Sequence, residues 1–353
     1  MMKIIPYVEV ISPITFLPIQ IVEPKECWFE LGYTDVGKFE VYAPATRRNL
    51  ECLKKGNFVK MPNVKYAWVI TSIEYSYTAG GSRMISAKGY EAIWVLKKGI
   101  IRYNKQLPTD VTSAFLTLIN TFYMQYYPTG YSYQLVNIDT PLSDTLAPRG
   151  NLLEYVHKMA KSYGCNINAI YEENSIKFRI VEGQDRSGSI KFSQSNDNLL
   201  SFNYLSDDED KANTVYVVAK VDNVEYGTSY STMPTDAGKI IVILESSISN
   251  KYTDADGNEK ELDLTNEDGK KTFIDWLKEE GKLELANHIT ITEVKSTIDL
   301  NNSKYKFDTD YRVGDIVEVK DEFFNITARQ RITKYTIRLE SSGIVSEALD
   351  FGE

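Results

Sequence analysis

Few residues in this chain are of a type and spacing that could do chemistry. It has two histidines, His157 and His288, and three cysteines, Cys27, Cys52 and Cys165. A thiol nucleophile needs a base within hydrogen-bond reach. His157 and Cys165 are eight residues apart in sequence, but a helix between them imposes a rise of about 12 Å, so they cannot work as nucleophile and base. No CxxC, HExxH, GxSxG, P-loop or GxGxxG pattern occurs, which removes the sequence signatures of zinc, serine-hydrolase and nucleotide sites. With 49 acidic residues, a glycosidase-type carboxylate pair would leave no readable spacing. The metal candidate is TDADGNEKE, where Asp254, Asp256 and Asn258 place oxygens at alternate positions. An EF-type calcium loop needs glycine at its sixth position and an acid at its twelfth, whereas Gly257 is fourth counted from Asp254. Asp256-Gly257 reads instead as a type I′ hairpin turn. Asp315, in DYRVGDIVEV, follows Gly314 and reads as a turn residue that bonds backbone at a strand entry. No catalytic residue, cofactor or metal is assigned.

The surrounding elements are mainly strands. Tyrosine is abundant, at 24 residues, and β-branched residues are frequent. From Trp28 to Ile101 short alternating runs (WFELGYTD, KFEVYAP, YAWVITSIEYSY, SRMISAKGY) are punctuated by Gly, Pro and Asp, with Gly80-Gly81 as a hairpin turn. The apolar N-terminus is broken by Pro6, Glu9, Pro13 and Pro18, so it reads as an opening strand or hairpin and not as a signal peptide. After Thr109 and Asp110, which can cap a helix, Val111, Phe115, Leu118, Ile119 and Phe122 fall at helical spacing. A second helix starts at the capping box Asn151-x-x-Glu154 and stops at Gly164. The strands INAIY and SIKFRIV follow it. A third helix is expected from Lys270 to Glu280, carrying Phe273, Ile274, Trp276 and Leu277, and SDDEDKAN (206–213) reads as a solvated loop. No later segment is long and apolar enough to span a membrane.

These signals give an expected division of the chain. Residues 1–104 form an N-terminal β-barrel-like domain and 105–185 an inserted α+β domain. Residues 186–260 supply linking strands and the start of a second β-barrel domain, 261–299 a small helical insertion, and 300–353 the end of the second domain. The two β domains show signs of duplication. KKGNFVKM set beside RVGDIVEV aligns Gly56, Val59 and Met61 with Gly314, Val317 and Val319, and WVITSIEY is answered by QRITKYTI, with Ile70-Thr71 against Ile332-Thr333. Gly56 and Gly314 are then equivalent strand-entry glycines in two domains of one design.

The formal charge is −9, from 40 basic and 49 acidic residues, without a long block of one sign. Such a chain does not suit sequence-specific binding of nucleic-acid phosphates. The cysteines are odd in number and far apart, which fits synthesis in a reducing cytoplasm.

The order GKFEVYAP, NLECLKKGNFVKM, SAKGYEAIWVLKKGII, NLLEYVHKMAKSYGC, FRIVEGQDRSGSI, FDTDYRVGDIVEV and ARQRITKYTI resembles the tail or baseplate hub proteins of long-tailed bacteriophages and related contractile particles. The resemblance implies a mainly β fold in which two related tube-type antiparallel β-barrels carry α+β insertions. It implies a homotrimeric virion protein joining the sixfold tail tube to the tip, around a channel that passes DNA. Implied partners are further copies of the chain, the distal tail or tube protein ring, the tape-measure protein, and a tip spike, fibre or lysin. Many relatives carry a C-terminal lytic or receptor-binding extension, and the end at FGE353 implies that such an activity lies on another protein. A trimer would carry 3 × −9 = −27 charges, which suggests an acidic channel wall that repels DNA. The alternatives are a tail-associated cell-wall hydrolase and a carbohydrate-binding receptor module, the latter because 24 tyrosines and 4 tryptophans could stack on sugars.

Overall fold

The computed structural model describes residues 7–352, except 34, 63, 78, 80, 128, 135–137, 139, 140, 143, 144, 208, 236, 289, 290, 300–302 and 341–344. The chain opens with β1 (Val8–Ile11), β2 (Pro18–Val22), β3 (Glu26–Gly32), β4 (Lys38–Pro44), the short helix α1 (Arg47–Cys52), β5 (Phe58–Lys60), β6 (Trp68–Ser76) and β7 (Met84–Glu91). Prolines 13 and 18 stop a helix from forming, and the N-terminal residues turn back as the hairpin β1–β2. Period-two alternation decides which face each strand buries: in KFEVYAP, Phe39, Val41 and Ala43 are buried while Lys38, Glu40 and Tyr42 point away from the core. The strands pair in the order β3-β4-β7-β6-β5-β1-β2. The β6–β7 hairpin forms where expected, although Gly80 of its turn lies outside the described residues.

An α+β unit follows. It comprises β8 (Ile100–Ile101), β9 (Lys105–Gln106), α2 (Val111–Ile119), β10 (Tyr131–Tyr133), β11 (Leu146–Ala147), β12 (Gly150–Asn151), α3 (Leu152–Ser162), β13 (Cys165–Glu172) and β14 (Ser175–Glu182). Asp110 caps α2 by accepting from the Ser113 N–H at 2.8 Å, and Asn151 caps α3 by accepting from the Glu154 N–H at 3.3 Å. Gly164, at φ +67°, ends α3 in the left-handed conformation that a side chain resists. Between β13 and β14, Glu173 and Asn174 both hold positive φ, as a tight type I′ hairpin requires. The helices and this sheet share a core that includes Phe115, Leu118, Val156, Met159, Ile167 and Phe178.

The chain then returns to strands with β15 (Lys191–Ser193) and β16 (Leu199–Asp207), so strand structure runs into the segment expected as a loop from 206. A second insertion follows: β17 (Thr214–Val221), β18 (Val224–Ser231), β19 (Ile241–Glu245), β20 (Lys251–Thr253), β21 (Glu259–Glu261) and α4 (Glu267–Leu285). The sequence grouped residues 186–260 with the second β domain. The structure differs, because β17, β18 and β19 form a sheet of their own. Phe273, Trp276 and Leu277 of α4 are buried together with Val215, Val217 and Ala219 of that sheet. Gly281 lets the helix lie close, since a Cβ there would stand 2.9 Å from Val217 Cγ2. Helix α4 is also longer than Lys270–Glu280, because Asn266 caps it through the Gly269 N–H at 2.7 Å.

The last strands are β22 (Ile291–Ile298), β23 (Ile316–Asp321), β24 (Ile326–Glu340) and β25 (Val345–Gly352). With β15 and β16 they pair in the order β16-β22-β25-β24-β23-β15. The two sets of strands are joined by β24 against β3, with Lys334 opposite Gly32 and Ile337 opposite Phe29, into one 13-stranded sheet. One core spans both sets, with Phe29, Phe39, Val41 and Trp68 from the first and Phe192, Val317, Ile332 and Phe351 from the second. The fold is mainly β with α+β insertions.

Candidate functional site

The two glycines singled out in the sequence occupy matching positions. Gly56 has φ +91° and Gly314 φ +100°. The Gly56 N–H donates to the Ile70 carbonyl at 2.8 Å, and the Ile70 N–H donates to the Asn57 carbonyl at 2.9 Å. The Gly314 N–H donates to the Ile332 carbonyl at 2.8 Å, and the Ile332 N–H donates to the Asp315 carbonyl at 2.8 Å. Immediately afterwards both long strands slip register by one residue, between Ile70 and Ser72 in β6 and between Ile332 and Lys334 in β24. The skipped residue is a threonine in both, Thr71 and Thr333. Beyond this bulge, Ser72 faces Lys88 as Lys334 faces Asp350. On the next strand, Phe39 faces Gly89 as Val294 faces Phe351. The strand order β3-β4-β7-β6-β5-β1 thus corresponds, position by position, to β16-β22-β25-β24-β23-β15. The last pairing differs in sense, since β1 runs antiparallel to β5 and β15 parallel to β23.

Asp315 is buried at 4% exposure with every carboxylate contact directed at structure. Oδ1 accepts from the Gln184 N–H at 2.8 Å, and Oδ2 accepts from Arg186 Nε at 2.8 Å and the Arg312 N–H at 3.0 Å. It fastens the strand leading to β15 onto the entry of β23. A second buried carboxylate, Glu91, was not singled out in the sequence. Its Oε2 accepts from the Gly37 N–H at 2.7 Å and the Gly32 N–H at 3.2 Å, clamping the β3–β4 turn. Burial pushes its pKa up to about 8 despite those two N–H groups, and the Glu30 carboxylate adds to the rise. A lone Glu in a strand carries no sequence mark of burial.

The thiols are poor nucleophiles. Burial raises Cys27 to about 12, with Glu26 adding to it, and Cys165 to about 11, with Glu182 adding to it; burial likewise raises Cys52. Cys165 Sγ donates to the Tyr163 carbonyl at 3.4 Å, and His157 is half-buried on α3. His288 ring atoms lie 3.2 Å from the Asp210 carbonyl and 3.4 Å from Glu284.

The acidic loop 253–261 joins β20 to β21. Its turn is not type I′, because only Gly257 holds a positive φ; the Gly257 N–H bonds the Asp254 carbonyl at 3.2 Å and the Asp254 N–H bonds the Asn258 carbonyl at 2.9 Å. That pattern is a type I turn closed by a left-handed glycine, the arrangement of a longer hairpin loop. Asp254 Oδ1 accepts from the Asn258 N–H at 2.8 Å, a bond that holds its carboxyl below the usual range. The cations at this loop are ammonium groups: Lys105, at 4% exposure, donates from Nζ to the Asp254 carbonyl at 2.5 Å, and Lys260 Nζ lies 3.8 Å from Asp254 Oδ2. Among the described residues no cluster of three His, Cys, Asp or Glu is placed to hold a metal ion.

Among the described residues strand β16 pairs only with β22 and ends the sheet, and Leu200, Tyr204 and Leu205 on it are exposed. The half of β6 beyond its bulge pairs with β7, and no described strand lies on its other side, where the equivalent half of β24 holds β3. Tyr75 on that half and Tyr77 just past its end are 65% and 78% exposed. The sheet face opposite the core carries both signs of charge. Lys88 lies 3.4 Å from Glu40 and 3.2 Å from Glu74, and Lys334 lies 3.8 Å from Asp350. Among the described residues no helix is long and apolar enough to cross a membrane.

No curated protein matches the chain. Among solved structures, the chain is similar to the tail protein from Neisseria meningitidis MC58, at TM-score 0.58 and 12% identity over 99% of this chain and 96% of that one. It is similar to the 43 kDa tail protein of prophage MuSo2 from Shewanella oneidensis, at TM-score 0.55 and 10% identity over 98% of both chains. At such identities the likeness is one of fold. The model of a sequence family, the Siphovirus ReqiPepy6 Gp37-like proteins, matches residues 133–353. The chain therefore belongs to the Siphovirus ReqiPepy6 Gp37-like family.

Proposed function

We propose that this chain is the hub of the tail tip: a homotrimer that joins the sixfold tube to the spike, fibre or lytic module and surrounds the path of the DNA. The observation that carries this reading is the equivalence of the two strand sets, from the glycine entries through the Thr71 and Thr333 bulges to the matching strand order. Three chains then offer six similar units, which is what a threefold tip needs to meet a sixfold tube ring. The two sets act as the two related barrel-type domains, and the insertions carrying α2 and α3 and carrying α4 decorate them. Partners are the distal tube ring, the tape-measure protein and the tip module.

The channel wall in this reading is the sheet face away from the core, where Lys88 and Lys334 against Glu40, Glu74 and Asp350 sum to a slight negative charge. Lys88 and Lys334 on the face away from the core have carboxylates within 4 Å, which leaves less cationic charge free to hold phosphates. DNA slides past such a wall without sequence-specific contact. The chain acts as a scaffold without catalysis, a reading supported by the buried thiols and by the structural engagement of Asp315.

Electron microscopy of virions labelled with antibody to this chain tests the placement. Label is expected at the distal end of the tail; label on the capsid or along the tail shaft would overturn it. A zymogram on bacterial cell walls tests the scaffold reading, and a clearing band would replace it with a hydrolase.

A further inference from the structure

The β13–β14 sheet has two unlike faces. Period-two alternation sends Ile167, Ala169, Ile176, Phe178 and Ile180 into the core shared with α2 and α3, and turns Asn166, Asn168 and Arg179 to the other side. That side is not in water. Asn166, Asn168 and Arg179 are 2%, 6% and 7% exposed, because the sheet lies against the strand sets, with Ile170 bridged to Tyr66. A cavity of about 60 Å³ lies at this junction, lined by Arg179, Asn166 and Asn168 of the insertion, Tyr66 and Glu91 of the first strand set, and Arg312 before β23. Arg179 donates from Nε to Asn168 Oδ1 and from Nη2 to the Tyr66 hydroxyl at 3.2 Å. Both partners are neutral: burial raises the Tyr66 pKa to about 12, so its hydroxyl keeps its proton. Among the described residues no carboxylate lies within 4 Å of the Arg179 guanidinium. The acids nearby are engaged elsewhere. Asp315 accepts from Arg186 at 2.8 Å, Asp308 is shared by Lys65 at 2.7 Å and Arg312 at 3.2 Å, and burial keeps Glu91 mostly protonated at neutral pH. A buried cation that meets only neutral groups is costly unless a counter-charge reaches it.

We infer that this cavity binds one small inorganic anion of halide size, held by the Arg179 guanidinium and the Tyr66 hydroxyl where the α+β insertion meets both strand sets. The size fits: the cavity is a few times the roughly 10–15 Å³ that one water-sized group needs, which admits a halide with a water or two and excludes a sugar or a nucleotide. The chemistry fits as well. The Tyr66 oxygen accepts from Arg179, which leaves its proton free to donate to the anion, and donation from a guanidinium to an anion is charge-assisted. Asn166 Oδ1 is buried without a partner; as an acceptor it suits a water that bridges it to the anion. A metal cation in the same place is opposed by Arg179, Arg186 and Arg312, all of which line the cavity. The anion is thus a staple that fastens the insertion to the strand sets. This inference concerns a single chain and does not depend on the trimer proposed above.

The test uses the full-length chain at constant ionic strength, with sodium gluconate replaced stepwise by sodium chloride. Gluconate is too large for the cavity. The expected result is a thermal midpoint that rises with chloride and a folding equilibrium constant at least about tenfold higher in about 0.2 M chloride, the gain from a ligand at about ten times its dissociation constant. Hydrogen exchange should slow most at β13 and β14, a local response that a general salt effect does not give. Arg179→Met should abolish the chloride response. Tyr66→Phe, which removes only the hydroxyl, should raise the half-saturating chloride concentration at least about threefold. Bromide anomalous scattering from crystals of the unaltered chain needs no variant, and a peak within hydrogen-bonding distance of the Arg179 guanidinium is expected. If Arg179→Met does not fold, this peak and the wild-type titration decide. Wild-type stability indifferent to chloride, a response that persists in Arg179→Met, or a cavity that holds only water in bromide overturns the site. An unchanged response in Tyr66→Phe overturns the part given to its hydroxyl.

Discussion

Gly314 and Gly56 answer to the same backbone demand but sit in different surroundings. A Cβ at Gly56 meets nothing within 4 Å, whereas at Gly314 it stands 3.1 Å from the Tyr33 ring. Gly56→Ala should therefore cost about 1 kcal/mol from its positive φ alone, and Gly314→Ala measurably more; urea denaturation of both variants checks the order. Asp315→Ala leaves Arg186 without its carboxylate and the Gln184 and Arg312 N–H groups without an acceptor. We expect a loss of about 3 kcal/mol in the same assay. One pH-dependent contribution comes from Glu91. Its folded pKa is raised from 4.5 to about 8, so its stabilising contribution is complete below the unfolded value and is lost as pH rises toward 8. Wild-type stability should fall relative to Glu91→Gln across that window, by roughly a few kcal/mol; parallel pH profiles that do not diverge would contradict this. At this scale the sequence exposed the turn glycines, because φ above zero selects glycine. It did not expose Glu91, whose burial depends on residues brought near only by strand pairing.

Elements were legible where a local code exists. The caps at Asp110 and Asn151, the stop at Gly164 and the alternation in KFEVYAP all act within a few residues, and each formed as read. Asp110→Ala should thus lower stability by about 1 kcal/mol through the lost bond to the Ser113 N–H, measurable as a shift in the thermal midpoint. Partner choice was less legible. Strands β17 to β19 alternate like the strands of the main sheet, yet they form a sheet of their own against Phe273 and Trp276 of α4. The loop at Asp254 misled in a similar way. Its Asp-Gly pair signals a two-residue turn, but the bond from the Asp254 N–H to the Asn258 carbonyl and the Lys105 ammonium close a longer one.

For the whole molecule, the equivalence of two strand sets is the main fact, and a weak repeat of glycine, isoleucine and threonine was its visible trace. The joint between β24 and β3 was not visible, since strands 300 residues apart carry no mark of register. That joint turns two units into one sheet. Electron cryomicroscopy of the assembled tail tip tests this account most directly. It predicts three copies of the chain around the axis, each contributing two strand sets joined by β24–β3. A map with another number of copies around the axis would contradict it.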